Sequence, residues 1–318
     1  MTEWSAMMKQ PLRVVDVGAR YGVHPRWKKL MRELPLDVIA FEPDETECKR
    51  LNTISEENVR YLPFALGEKD ESAMLHLLVG EASSSIYKPN YDLMNRTHKA
   101  GYFEIAKSIP LQTRSLDAVM AEEKIDDIDY LKIDTEGYEI KILNGATTVL
   151  KNVFAVELEV WFNRMFEGAP LFRDVDAYME EKGFVLFDVA RSNWSLKRKT
   201  GKELGGPRGQ LVCGDAIYFR DLATTPEINI FFQRDKFIRC IILLLQYHYY
   251  DCALEALEKA ISIQALEKNE IQTIESVIRK SGQRWRPEFM GIRHVRRFIR
   301  YLDRFFTRFD EGEQLGNW

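Results

Sequence analysis

The chain is poor in cysteine, and its four thiols, Cys48, Cys213, Cys240 and Cys252, form no CxxC pair and no metal-ligand spacing. That sets aside a disulfide scaffold and a thiolate metal site and implies a reducing compartment with inert, mostly buried thiols. Long apolar runs are lacking as well. The longest, "CIILLL" at 240–245, is far short of the roughly 20 residues that cross a bilayer. The opening "MTEWSAMMKQPLRVVDVG" has no basic flank leading into an apolar segment, so no secretory leader is expected and the location is expected to be cytoplasmic. Excess charge of either sign is also missing: the formal net charge is -4 over 318 residues, which supplies no global reason to expect a nucleic-acid partner. What is present, 45% hydrophobic and 30% charged residues, is the balance of an ordinary globular protein.

From residue 12 onward short apolar runs alternate with amphipathic segments. "LRVVDVG" predicts a buried strand and "PRWKKLMREL" a helix; "LDVIAFEP" predicts a second strand and "DETECKRLNTI" a second helix with Asp44 as its N-cap. "NVRYLPFALG" and the alternating "SAMLHLLV" follow, then a polar and aromatic stretch over 80–109. "IPLQTRSLDAVMAEE", "IDYLKIDTEGYEIKILNGATTVL" and "NVFAVELEVWF" repeat the strand pattern, and "FVLFDVA" and "GQLVCGDAIYFR" close it with no helix between them. The pattern predicts an α/β fold: a mostly parallel sheet with helices on both faces and one antiparallel strand at the end. Beyond about residue 233 only helical patterns remain, a helical C-terminal extension. The expected division is 1–224 and 225–318.

The turn "DVGARYG" at 16–22 follows the first strand. A dinucleotide fingerprint beginning at Gly18 would need glycines where Arg20 and Val23 stand, and a bulky side chain at the middle position blocks backbone approach to a pyrophosphate. No Walker phosphate loop follows either. A nucleoside ligand without pyrophosphate remains, and S-adenosylmethionine fits. Glu42, ending the second strand in "AFEP", is placed to accept hydrogen bonds from both ribose hydroxyls.

These residues resemble the FkbM family of S-adenosylmethionine-dependent methyltransferases. The resemblance rests on "DVGARYG", "FEPDETECKRL", "ALGEKD", "SLD", "IDYLKIDTEGYEIKILNGA", "VELEV" and "DAIYF", covers roughly 12–220, and is strongest at "KIDTEGYE". The family usually has Asn where this chain has Arg20. The resemblance implies a class I methyltransferase, Rossmann-like fold and O-methylation, commonly of sugar hydroxyls in glycans, glycolipids or natural products. A noncatalytic methyltransferase-like binding or assembly module in a glycan pathway is the alternative. A nucleotide-sugar transferase using the "DID" of 127–129 is a weak third, because those aspartates precede the fourth strand.

Methyl transfer from a sulfonium is an in-line displacement, so positioning does much of the work and a base adds to it. Asp134 and Glu136, at the end of the fourth strand, are candidate bases or acceptor-orienting groups, with Glu157, Glu159 and His98 as further catalytic candidates. Glu157 and Glu159 alternate along one strand and share a face. Glu136 could instead stabilise the first turn of the helix starting near Tyr138, and Glu139 reads as such a cap or a surface acid rather than a catalyst. Asp16, Gly18, Ala19, Gly22, Glu42, Ala65 and Asp134 are the cofactor candidates, Ala65 as the end of the third strand beside the adenine. Converging carboxylates could also hold a divalent cation through oxygen ligands. Residues 81–103 suit a loop over the acceptor, and Lys197, Arg198 and Lys199 suit a phosphorylated one. The last helix, "IRHVRRFIRYLDRFFTRF", has an apolar stripe among arginines. It could contact a membrane peripherally, at the inner face, or pack on the catalytic domain or a second copy.

Overall fold

A computed structural model of the chain describes residues 3–196, 209–224 and 230–283, together with 294, 295, 297 and 298. In chain order, α1 (Glu3–Met7) precedes β1 (Leu12–Val17), α2 (Pro25–Met31), β2 (Leu36–Phe41), α3 (Glu45–Ile54), β3 (Val59–Leu62), β4 (Ala65–Gly67) and β5 (Glu71–Leu78). Next come α4 (Tyr91–Met94), β6 (Ile105–Ser115), α5 (Leu116–Glu122), β7 (Tyr130–Ile133), α6 (Glu139–Asn144), β8 (Ala155–Trp161), α7 (Phe172–Glu181), β9 (Val185–Trp194) and β10 (Gln210–Phe219). Helices α8 (Arg234–Gln246), α9 (Tyr250–Ser262) and α10 (Lys268–Gly282) follow.

The main sheet has seven strands in the order β3-β2-β1-β7-β8-β10-β9. Its first five strands are mutually parallel, and β10 runs antiparallel to both β8 and β9. This is the mostly parallel, Rossmann-like α/β fold of class I methyltransferases, with its one reversed strand where no helix separates "FVLFDVA" from "GQLVCGDAIYFR". Strands buried on both faces read as nearly continuous apolar runs, which is why "LRVVDV" and "AVELEVW" were visible in the sequence. Asp44 caps α3, accepting from the backbone N–H groups of Thr46 and Glu47, and Pro25 opens α2 at its first turn, where its missing N–H costs nothing.

One sheet face carries Val15, Val17, Leu131, Ile133, Val156 and Leu158, packed against α5, α6 and α7. The opposite face carries Leu12, Val14, Tyr130, Ala155, Ile217 and Phe219 and is covered by α2 and by the C-terminal helices, whose Phe237, Ile241, Leu244, Ala253 and Ile274 join the same core. Helix α8 also brings two buried cations. Lys236 Nζ donates to Asp127 Oδ1 at 2.6 Å and Asp129 Oδ1 at 2.8 Å, while Arg239 Nε donates to Asp129 Oδ2 at 2.9 Å and its Nη2 reaches Asp127. The "DID" aspartates are thus occupied at the N-terminal edge of β7. The core runs across the expected 224/225 boundary without a break.

One strand assignment changes. Ala65 does not end the third strand: β3 stops at Leu62, and Ala65 begins β4, which belongs to a separate three-stranded sheet ordered β4-β6-β5. Pro63 interrupts the run that reads as one strand, since it cannot donate to a ladder. Of the segments with expected roles, Lys197, Arg198, Lys199 and nearly all of the last arginine-rich helix lie outside the described residues. No described helix is long and apolar enough to cross a membrane.

Candidate active site

The turn after β1 closes on the end of β7. The backbone N–H groups of Gly18 and Ala19 donate to Phe41 O, and Asp134 N–H donates to Val17 O at 3.0 Å. At Gly18 φ is +92°, and a Cβ there would stand 2.1 Å from Asp134 O, so both the conformation and the close approach demand glycine. A cleft of about 780 Å³, counting its open mouth, lies over the C-terminal ends of β1, β2 and β7, where open α/β sheets bind ligands. Gly18, Glu42, Ala65 and Asp134 line it, with Phe64, Leu66 and Leu75 as apolar walls. Glu42 is buried, its Oε1 accepts from Asp44 N–H at 2.8 Å, and burial raises its pKa above the ordinary carboxylate value. Arg20 reaches across the cleft to Glu81 at 2.9 Å and lies 4.0 Å from Glu42. A carboxylate at the end of β2 that can accept from ribose hydroxyls, beside apolar walls, is what a nucleoside needs, so the residues present fit S-adenosylmethionine.

Three expected cofactor residues do not line this cleft. Gly22, with φ +88°, serves the turn, where Val23 N–H donates to Tyr61 Oη at 3.0 Å. Ala19 is buried in the core cluster on the α2 side of the sheet. Asp16 lies in register with Lys132, which lies in register with Glu157, so that three charged groups form a row across β1, β7 and β8. Burial, more than the charges around it, pushes Asp16 up to about 6. Lys132 Nζ leans from this row to Asp134 Oδ2 at 2.7 Å.

Glu157 is the clearest correction. It lines neither the cleft nor the cavity described below; its Oε2 accepts from Arg26 Nη1 at 2.7 Å and from Tyr247 Oη at 2.8 Å, with the Tyr130 hydroxyl beside them. Burial alone would push its carboxyl up, but Arg26 and then Lys132 outweigh burial and hold it at about 2. A group held that acidic, with Arg26 and two tyrosine hydroxyls on one oxygen, is a poor proton acceptor, and we reassign it to the support of the sheet.

The other catalytic candidates converge. Glu136, Glu159 and His98 line a second cavity of about 930 Å³, mouth included, together with Ser83, Lys99, Trp161, Trp194 and Cys213. Glu136 holds a left-handed backbone at φ +56°, just before α6. Its carbonyl accepts from the Ser85 hydroxyl at 2.7 Å, and its own Oε2 is shut off from solvent without a partner. Glu159 Oε2 is in the same condition. Burial, followed by the charges of Asp134 and Glu139, drives the Glu136 carboxyl well above its ordinary range; burial, followed by Glu136 and Asp134, does the same to Glu159. His98 stands at the exposed rim, its Nδ1 3.0 Å from the carbonyl of Ser195. Glu139 caps locally, accepting at Oε1 from the N–H groups of Thr135 and Gly137. Asp134 lines the cleft and Glu136 the cavity, so the turn between them separates the two spaces. Among the described residues no group of three His, Cys, Asp or Glu side chains could hold a metal ion. Trp161 and Trp194 went unread in the sequence, although the alternation Glu157, Glu159, Trp161 already put the first of them on the carboxylate face.

A family model described as the methyltransferase FkbM domain matches residues 16–186. The hexuronic acid methyltransferase AglP of Haloferax volcanii is 26% identical over 148 residues, 46% of this chain and 54% of that protein, so the chain matches about half the length of that relative. The crystal structure of a methyltransferase FkbM from Methylobacillus flagellatus KT aligns with 16% identity and a TM-score of 0.35 over 66% of this chain and 43% of that one. A precorrin-6y C5,15-methyltransferase from Geobacter metallireducens GS-15 aligns with 11% identity and a TM-score of 0.34 over 68% of this chain and 85% of that one.

Proposed function

Since the chain belongs to the methyltransferase FkbM family, we propose that it is an S-adenosylmethionine-dependent O-methyltransferase acting on a sugar hydroxyl of a glycan or glycolipid. The carrying observation is the turn at 134–136, which puts a carboxylate of the nucleoside-type cleft and a carboxylate of a second, aromatic-walled cavity two residues apart. The hexuronic acid specificity in the name of the Haloferax relative supports a saccharide acceptor.

S-adenosylmethionine, bound in the cleft, supplies an electrophilic methyl group on its sulfonium. The chain's own residues do the rest. Glu42 accepts from the ribose hydroxyls, and Gly18 lets the turn pass close to the end of β7. Asp134, anchored by Lys132, faces the border between the two spaces and orients the acceptor. The acceptor hydroxyl, held in line with that methyl group, would release its proton to a carboxylate of the turn, Asp134 or Glu136. Holding the oxygen in line with the methyl supplies most of the acceleration.

The test is incubation of the full chain with methyl-labelled S-adenosylmethionine and a panel of oligosaccharides and glycolipids, read by mass spectrometry. Label on a sugar oxygen with release of S-adenosylhomocysteine is expected. Cofactor binding without label on any saccharide overturns the proposal in favour of a binding module.

A further inference from the structure

The walls of the nucleoside-type cleft come from separate parts of the chain, and one ion pair joins them. We propose that the pair between Arg20 and Glu81 is a latch over the cofactor, which opens to admit S-adenosylmethionine and to release S-adenosylhomocysteine. The inference rests on the S-adenosylmethionine reading above and adds the residues that govern exchange.

Arg20 is the bulky side chain in the turn after β1, where a dinucleotide fingerprint needs glycine. Glu81 opens a single 3-10 turn, Glu81–Ser83, in the segment between β5 and α4. Arg20 Nη2 and Glu81 Oε2 meet at 2.9 Å, and both residues line the cleft. Their side chains are 28% and 65% exposed, against 4% for Glu42. The pair therefore stands at the outer edge of the cleft, with the candidate ribose acceptor deeper inside. Two other carboxylates lie in range of the Arg20 guanidinium, Asp44 at 3.8 Å and Glu42 at 4.0 Å. Both come from the end of β2, beside the turn that carries Arg20. Letting go of Glu81 leaves the guanidinium with these partners, so opening strands no bare charge.

The segment carrying Glu81 is pinned at both ends. At one, Val79 N–H donates to Glu104 O at 2.9 Å and Gly80 N–H donates to Tyr102 O at 2.7 Å. At the other, Ser85 N–H donates to His76 O at 3.2 Å, and the Ser85 hydroxyl donates to the carbonyl of Glu136. Between them the backbone bonds are local: Ser83 N–H donates to Gly80 O, and Ser84 N–H to Glu81 O. Glu81, Ala82 and Ser84 line the cleft, while Ser83 turns to the second cavity and hydrogen-bonds the Glu136 carboxyl. The Arg20 pair is what ties the cleft side of this strap to the opposite wall. A partly exposed ion pair is worth little in stability, which suits a contact that must break at every turnover.

The test is surface plasmon resonance of the full chain with S-adenosylhomocysteine, a zwitterion without net charge, so that losing one charge at the mouth hardly alters its encounter with the protein. Glu81→Gln should raise the association and dissociation rates together by about three- to fivefold, the span of a partly exposed ion pair. Kd should then stay within about twofold. Glu81 is well exposed, so this variant should fold as the wild type does. Adding Arg20→Gln to Glu81→Gln should give exchange no faster than Arg20→Gln alone, because the two residues act as one unit. Raising salt from about 0.05 to about 0.5 M should speed exchange in the wild type and leave Glu81→Gln within about 1.5-fold. Rates for Glu81→Gln within about 1.5-fold of wild type overturn the latch, as does a change in one rate without the other; either result leaves the cofactor reading standing. Absence of S-adenosylhomocysteine binding by the wild type would overturn both.

Discussion

Glu157→Ala tests the assignment of that carboxylate to structure rather than chemistry. Arg26 and Glu157 meet at 2.7 Å with side chains only 2% and 4% exposed, so removing the carboxylate leaves a guanidinium buried among phenols. Breaking one side of a buried pair in this way costs about 3–5 kcal/mol. The proton linkage agrees: a carboxyl held at about 2 instead of its ordinary 4.5 corresponds to about 3 kcal/mol. The sign follows from the depressed value. The stabilisation is fully present above about pH 4.5 and is lost as pH falls toward 2, because the folded protein must then bind a proton it resists. Urea unfolding can be followed through Trp27, whose ring centre lies 4.6 Å from that of Tyr130. The variant should be less stable by about 3–5 kcal/mol at pH 7, with the gap closing toward pH 3. Affinity for S-adenosylmethionine should stay within about twofold, since Glu157 lines neither cavity. A variant within about 1 kcal/mol of wild type at pH 7, or a gap that ignores pH, would refute the reasoning.

Glu42→Gln should weaken S-adenosylmethionine about tenfold or more through lost hydrogen bonds to a charged acceptor; unchanged calorimetric affinity would remove Glu42 from the ribose. Asp134→Asn should keep the cofactor affinity within a few-fold while lowering turnover roughly 10²- to 10⁴-fold, and near-normal turnover would strip Asp134 of its role. A chain ending at residue 224 should be insoluble or unfolded by near-ultraviolet circular dichroism, because it uncovers Phe154, Ile217 and Phe219 and leaves Asp129 without Lys236 and Arg239. A folded monomeric fragment would contradict that.

The strands of the main sheet were legible because burial on both faces leaves an unbroken apolar record, and the reversed β10 because no helix stands before it. The second sheet was not. Its pairing joins Ala65 to Thr113 and Glu71 to the same residue, across more than forty positions, and no local periodicity encodes a partner that distant. The site was legible by residue type more than by place. Asp134 and Glu136 were recognisable at the strand end, but a difference of two residues sends them to different spaces, and this depends on the left-handed turn at Glu136 and Gly137. Glu157 and Glu159 were rightly placed on one face, yet the face is shared by two environments: Arg26 waits below the first, and the aromatic cavity opens beside the second.

Buried charges tie the C-terminal helices to the main sheet. Tyr247, at the end of α8, donates to Glu157; Glu157 stands in register with Lys132; Lys132 anchors Asp134 at the mouth of the cleft. Each of these groups is costly to bury alone and affordable only with the next. Lys236 and Arg239 repeat the logic at the other edge of β7, where they neutralise Asp127 and Asp129. Helix α8 therefore supplies partners to the carboxylates just before the central strand, Asp127 and Asp129, and to Glu157 on the neighbouring β8. A sequence pattern that changes from alternating elements to helices alone marks a change of layer at that point, while the hydrophobic core and the charge network continue through it.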